Sequence, residues 1–191
     1  RKVISLLADG VRDGAAARAA SDALYTEFSG QTSAYLNILS ADLQTSTLVI
    51  TRNNPTPIYL ARGELVECLP GEAQPIGTDR NIRPMISELE LQPNITVVMY
   101  TDGISNAGAQ FGQEFDVCML VNDLVDEEQS AQMLADRLLT QAIRLDNHHP
   151  NDDMSVVVLH VKDSYASPVR RMYVSLPVHD ALPTQNYEDH G

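Results

Sequence analysis

The sequence predicts a domain of the α+β class, and three observations carry that prediction. Short apolar runs rich in β-branched residues, such as Ile95 to Thr101 and Met154 to Val161, read as strands. Other strand-like runs come in consecutive pairs joined by short polar or glycine-containing turns, the mark of hairpins. Between them lie stretches whose apolar residues recur at three- and four-residue spacing, the period of an amphipathic helix.

In chain order, Val3 to Ala8 reads as a short buried strand that ends at Asp9-Gly10. Residues 14 to 28 carry Ala16, Ala19, Ala20, Ala23, Leu24 and Phe28 on one helical face, and Gly30 stops that helix. Ala34 to Ser40 and Thr47 to Asn53 are two strands around a polar turn at Asp42 to Ser46. Pro57 to Arg62 and Leu65 to Leu69 form a second pair, with Gly63-Glu64 as the tight turn. Pro70 to Thr78, with two prolines and two glycines, is loop. Met85 to Leu91 alternates Met85, Ser87, Leu89 and Leu91 with Ile86, Glu88 and Glu90, as a half-exposed strand does.

The central strand Ile95 to Thr101 again ends in Asp-Gly, here Asp102-Gly103. Phe111, Phe115, Met119 and Leu124 line one expected helix; Ala131, Leu134, Ala135, Leu138, Ala142 and Leu145 line a second. Asp152-Asp153 opens the strand Met154 to Val161. Beyond Lys162 the character changes, with Val169 to Leu176 as one further strand and Pro177 to Gly191 as a polar tail. The expected division is a domain over 1–162 and a C-terminal extension over 163–191.

Composition bounds the function. At 191 residues one core buries roughly 70% of the unfolded surface, so no metal or disulfide staple is needed for folding. Thirteen Lys+Arg against 26 Asp+Glu leave a net charge of −13, which argues against nucleic-acid binding. A 43% hydrophobic content excludes a mainly disordered chain, and the longest apolar runs are too short to cross a membrane. No secretory segment is expected at the start, and Arg1, not an initiator methionine, suits a fragment of a longer protein. Cys68 and Cys118 provide no disulfide framework and fit a reducing, cytoplasmic interior.

Taken singly, an Asp-Gly pair is a turn signal. Here two of them end strongly apolar runs, at Asp9 and Asp102, and an Asp-Asp pair begins a third. In an antiparallel sheet the end of one strand and the start of its neighbour share an edge, so Asp9, Asp102 and Asp152 can converge at one rim. Three such carboxylates repel one another unless cations sit between them, and all-oxygen ligands favour magnesium or manganese over zinc. Gly10 would let its own carbonyl approach such an ion.

The motif series Ala8-Asp9-Gly10-Val11-Arg12-Asp13-Gly14, Tyr100-Thr101-Asp102-Gly103-Ile104 and Asp152-Asp153-Met154-Ser155-Val156 resembles the metal-dependent protein phosphatase family (protein phosphatase 2C-like). It is most similar to the bacterial branch of the stage II sporulation phosphatase and the regulators of stress sigma factors. Asn53-Asn54-Pro55-Thr56-Pro57 is similar to that branch's glycine-histidine-proline-rich turn, and Pro75-Ile76-Gly77 and Phe111-Gly112 also fit. The resemblance runs from about Val3 to Val161 and implies a four-layer α-β-β-α sandwich of two antiparallel sheets flanked by helices.

The resemblance also implies two Mn²⁺ or Mg²⁺ ions, with Asp9 bridging both, the Gly10 carbonyl on one, and Asp102 and Asp152 on the other. A water between the ions would attack phosphorus in phosphoserine or phosphothreonine, with no phosphoenzyme. It points to a phosphorylated protein substrate, an anti-sigma-factor antagonist by analogy, and to regulatory domains outside this chain. Asp153 is a neighbouring hydrogen-bonding group. Arg12 stands where the branch commonly has glycine, and reads either as a phosphate contact or as a solvated arginine. The family usually carries another acidic residue on a strand pair before the first Asp-Gly, and here eight residues stand before Asp9.

Other residues have simpler readings. Asp13 assists through a metal-bound water or caps the following helix, and capping is preferred. His148 and His149 are read as loop residues rather than as an acid for the leaving group. Cys118 falls on a core face, and Cys68 lacks a nucleophile's surroundings. The acidic run from Asp123 to Glu128 is a solvated face. Two rivals stand beside the phosphatase: a catalytically inactive phosphatase-fold module that binds proteins, and an unrelated α/β domain whose Asp-Gly pairs are only turns.

Overall fold

The structure is a computed structural model that describes residues 1–71, 74–125 and 130–162. Its helices are α1 (Lys2–Ala8), α2 (Asp13–Phe28), α3 (Asp102–Ser105), α4 (Val117–Val125) and α5 (Ala131–Leu145). Its strands are β1 (Leu36–Asp42), β2 (Thr47–Asn53), β3 (Ile58–Arg62), β4 (Leu65–Leu69), β5 (Met85–Glu90), β6 (Ile95–Tyr100) and β7 (Val156–His160). They form two antiparallel sheets, one in the order β1-β2-β5 and the other β4-β3-β6-β7.

The two-residue period of the strands explains why the sheets stack. Leu48 and Ile50 of β2 meet Ile58 and Leu60 of β3, Leu69 of β4, and Ile95 and Val97 of β6 in one buried cluster. The alternate residues Tyr59, Val98 and Tyr100 face the other way, onto Ile104, Val117, Val121, Leu124, Leu134, Leu138 and Ala142 of α3, α4 and α5. Each fully buried Leu or Ile adds about 1.5–3 kcal/mol relative to exposure. On the far side α2 lies against β1 and β2 and buries Ala16, Ala17 and Ala20. The result is the expected α-β-β-α sandwich of the α+β class.

Local signals set several boundaries. The β3–β4 turn places Gly63 at φ 59, which a type II′ hairpin requires at its first central position. Ser29 and Gly30, at φ 53 and φ 75, end α2 in left-handed conformations. Ser130 caps α5 by accepting the Met133 N–H at 3.2 Å.

Four expectations need correction. Val3 to Ala8 is a helix, not a strand: Val3, Leu6 and Leu7 are half-buried at helical spacing while Ile4 is 72% exposed. With no strand beside it, the segment satisfies its backbone internally only as a helix. The helix expected through Phe111 begins only at Val117, because Gly108 and Gly112 turn left-handed on either side of a 3₁₀ turn at Ala109–Phe111. Its buried residues are Val117, Val121 and Leu124, and Met119 is 61% exposed. Ala34 forms only a bridge to Ile76, and β1 starts at Leu36. Asp152 to Ser155 precede β7 without joining it, so that strand is shorter than expected. The expected strand at 169–176 and the tail at 177–191 lie outside the described residues.

Candidate active site

Asp102 and Asp152 are brought together by the β6–β7 pair. Tyr100 stands opposite Val156, so the chain leaving β6 and the chain entering β7 share one edge of the sheet. Past the strands the join continues through Thr101, whose N–H donates to the Ser155 carbonyl at 3.0 Å. The Thr101 hydroxyl donates to the Asp153 carbonyl at 2.8 Å and accepts the Ser155 N–H at 2.9 Å. Gly103 brings the backbones into contact. A Cβ there would stand 2.6 Å from the Asp153 carbonyl oxygen and 3.4 Å from the Asp152 carbonyl carbon. Only glycine permits that approach.

Within this join Asp102 opens α3 and is half-buried, while Asp152 is exposed and accepts the Asp153 N–H on Oδ1 at 2.8 Å. Tyr100, two residues before Asp102, turns into the core instead, its buried ring stacked on Tyr59 with centroids 6.1 Å apart. Burial, reinforced by Tyr59, drives the Tyr100 phenol far above its ordinary value, so it stays neutral.

Asp9 is placed differently. It is the exposed C-cap of α1, with its N–H on the Ser5 carbonyl at 3.0 Å, and α1 packs against α2. Gly10 follows at φ 78. Among the described residues no group of three or more His, Cys, Asp or Glu is arranged to hold a metal ion. Asp9 therefore does not complete a three-carboxylate set with Asp102 and Asp152, and the donors expected for two ions are not assembled in this arrangement.

The neighbouring candidates divide. Arg12 is exposed at the N-cap of α2, and Asp13 begins that helix with no capping hydrogen bond from its side chain. The Asp13 Oδ2 is instead buried without a partner among the described residues. His148 and His149 are exposed in the turn after α5. The Asn53–Pro57 crossover lies at the same end as Asp102, because β3 starts beside the end of β6. There the Asn54 Oδ1 accepts the Thr56 N–H at 2.8 Å, and the Asn53 Nδ2 donates to the Gln74 carbonyl at 3.1 Å.

Sequence reasoning missed two buried charges. Arg52 is only 5% exposed and donates to the Pro70 carbonyl at 2.7 Å, with burial lowering its pKa. Its two-residue spacing from Leu48 and Ile50 was the signal that it points inward. Asp146, also 5% exposed, accepts the Gly108 N–H at 2.7 Å from the C-cap of α5. Its position one residue past the apolar face of that helix carried no comparable signal.

The family profile of stage II sporulation protein E (SpoIIE) matches residues 3–162. The chain belongs to the SpoIIE family. Among solved structures, it is similar to the SiaA-PP2C domain of Pseudomonas aeruginosa at 22% identity and a TM-score of 0.68, over 84% of this chain and 66% of that one. The phosphatase domain of SpoIIE from Bacillus subtilis, presoaked with manganese, matches at 20% identity and a TM-score of 0.59, over 86% and 74%. The catalytic domain of the serine/threonine protein phosphatase PstP, in complex with two manganese ions, matches at 17% identity and a TM-score of 0.64, over 84% and 79%. No curated protein matches the chain. At these identities the likeness establishes the fold, that of a PP2C-type phosphatase domain. Among the described residues no helix is long and apolar enough to cross a membrane.

Proposed function

We propose that this chain is a Mn²⁺- or Mg²⁺-dependent protein serine/threonine phosphatase, with residues 1–162 as its catalytic domain and 163–191 as an extension. The observation that carries the reading is the close join of Asp102-Gly103 with Asp152-Asp153 at one end of a PP2C-type sandwich. Phosphoryl transfer needs its developing negative charge offset, and divalent ions supply that. The reading assigns ligation to Asp102 and Asp152, with Asp9 and the Gly10 carbonyl as the further ligands that the family resemblance implies. The two manganese ions of the PstP structure, and the manganese presoak of the SpoIIE one, support the choice of ion. The substrate class is a phosphorylated protein, an anti-sigma-factor antagonist by analogy with the family branch, in the cytoplasm.

A second reading is an inactive protein-binding module of the same fold, favoured by the incomplete carboxylate set. Phosphate release from a phosphoserine peptide, followed with and without Mn²⁺, separates the two. The phosphatase predicts Mn²⁺-dependent turnover, a higher melting temperature with Mn²⁺, and loss of both in Asp102→Asn and Asp152→Asn. Each variant should lose more turnover than the ~10–100-fold typical of changes outside the ligand sphere. Stabilisation by Mn²⁺ without turnover would support the module, and the absence of both effects would sink the metal reading.

A further inference from the structure

Asp146 breaks a local rule. A carboxylate at the C-cap of a helix faces the negative end of the macrodipole, and burying it adds a desolvation penalty. At 5% exposure, Asp146 bears both costs at the end of α5. The described compensation is one short charge-assisted bond, from the Gly108 N–H to Oδ1 at 2.7 Å. Gly108 is itself seated on α5, since a Cβ there would meet the Leu145 Cβ at 3.3 Å, and its φ of 83 suits glycine.

The place of this bond in the chain gives it a use. Residues 101–108 begin at the Thr101 join with Asp153 and Ser155 and end at the Gly108 join with Asp146. The segment holding Asp102 is thus fastened at both ends to the segment holding Asp152. Asn147 and His148, at φ 51 and φ 63, turn the chain from Asp146 toward Asp152. Among the described residues, Asp102 and Asp152 sit inside a frame fastened just past the sheet at Thr101 and again on α5 at Gly108.

We infer that Asp146 is a positioning residue, holding the Asp102 segment against the Asp152 segment through the Gly108 N–H. The inference deepens the phosphatase reading and rests on it for its kinetic consequence. Asp146→Ala removes the acceptor, whereas Asp146→Asn keeps an oxygen in the same place. For the wild-type chain with Mn²⁺ and a phosphoserine peptide, Asp146→Ala should lower kcat about tenfold or more with KM unchanged, and Asp146→Asn should restore most of it.

Hydrogen exchange by mass spectrometry provides a readout independent of turnover. Asp146→Ala should speed exchange across 101–108 and also at Ser155, whose N–H is held by Thr101. Asp146→Ser serves the same purpose if the alanine variant does not fold. Faster exchange at Gly108 alone, or wild-type kcat in a folded Asp146→Ala or Asp146→Ser, would overturn the inference. So would an Asp146→Asn variant as impaired as Asp146→Ala. A wild-type chain without Mn²⁺-dependent turnover defeats the phosphatase reading, and the exchange pattern then still decides the role of Asp146.

Discussion

Replacing Gly103 by alanine puts a methyl group 2.6 Å from the Asp153 carbonyl oxygen and 3.0 Å from its carbon. Carbon and oxygen rarely approach closer than about 3.3 Å, so one backbone must retreat by roughly 0.7 Å. The obstacle is main chain and cannot swing aside. The 2.8 Å bond from the Thr101 hydroxyl to that same carbonyl would stretch past hydrogen-bonding range. Overpacking costs about 1–3 kcal/mol and the lost bond about 1 kcal/mol. Alanine returns about 0.5–1 kcal/mol through its better helix propensity. The net loss is about 1–3.5 kcal/mol, or roughly 2–14 °C in melting temperature for a domain of this size. The shift also moves Asp152 away from Asp102, and misplacement on that scale can cost about 10²-fold in rate. Gly112→Ala is the control: its φ of 69 strains alanine, but nothing lies within 4 Å of the added carbon. Thermal melts and peptide dephosphorylation should show both variants destabilised and only Gly103→Ala slowed beyond its loss of folded protein. Equal turnover in the two variants, or no change in Gly103→Ala, would refute the steric argument.

Two further predictions concern histidines. Burial lowers the pKa of His160, assisted by Lys162, and the ring shares a 2.8 Å hydrogen bond with Thr96. A depressed folded pKa means that the unfolded chain binds the proton more readily, so this contribution is present above the ordinary value of about 6.5 and is lost as pH falls through the folded value. Melting temperature should therefore fall from pH 7 to pH 5 less steeply in His160→Gln than in wild type; identical slopes would remove His160 from the account. His148 and His149 are exposed, and His148 is at φ 63, which asparagine tolerates. His148→Asn and His149→Asn should each keep turnover within tenfold, below the roughly 10²–10⁴ of a general acid, and a thousandfold loss in either would place that ring in the chemistry.

The strands were legible because β-branched runs between turn residues have few alternatives, as in Thr47–Asn53, and because tight turns pair their neighbours, as Gly63-Glu64 does for Leu65–Leu69. The helices α2 and α5 were legible for the same kind of reason, through long apolar periodicity. The run Val3 to Ala8 was not, since so short an apolar segment fits either period and its fate turns on whether a partner strand exists. That single misreading governs the site. Asp102 and Asp152 flank true strands and come together, whereas Asp9 follows a helix and does not complete their group. Buried Asp146 stayed hidden because its partner, the Gly108 N–H, is 38 residues away and belongs to the main chain, which no side-chain pattern announces.

Thr101 and Ser155 are joined directly yet stand 54 residues apart in the chain. Bringing such distant segments together requires closure of a long loop, and α3, α4 and α5 lie within it. Local helices form in about a microsecond, whereas non-local strand pairing waits on the slower search for topology. During refolding, helical circular dichroism should therefore return before the β6–β7 seam closes. On that order Asp102 and Asp152 meet only after the helices have formed, so any site built on the two assembles late in folding.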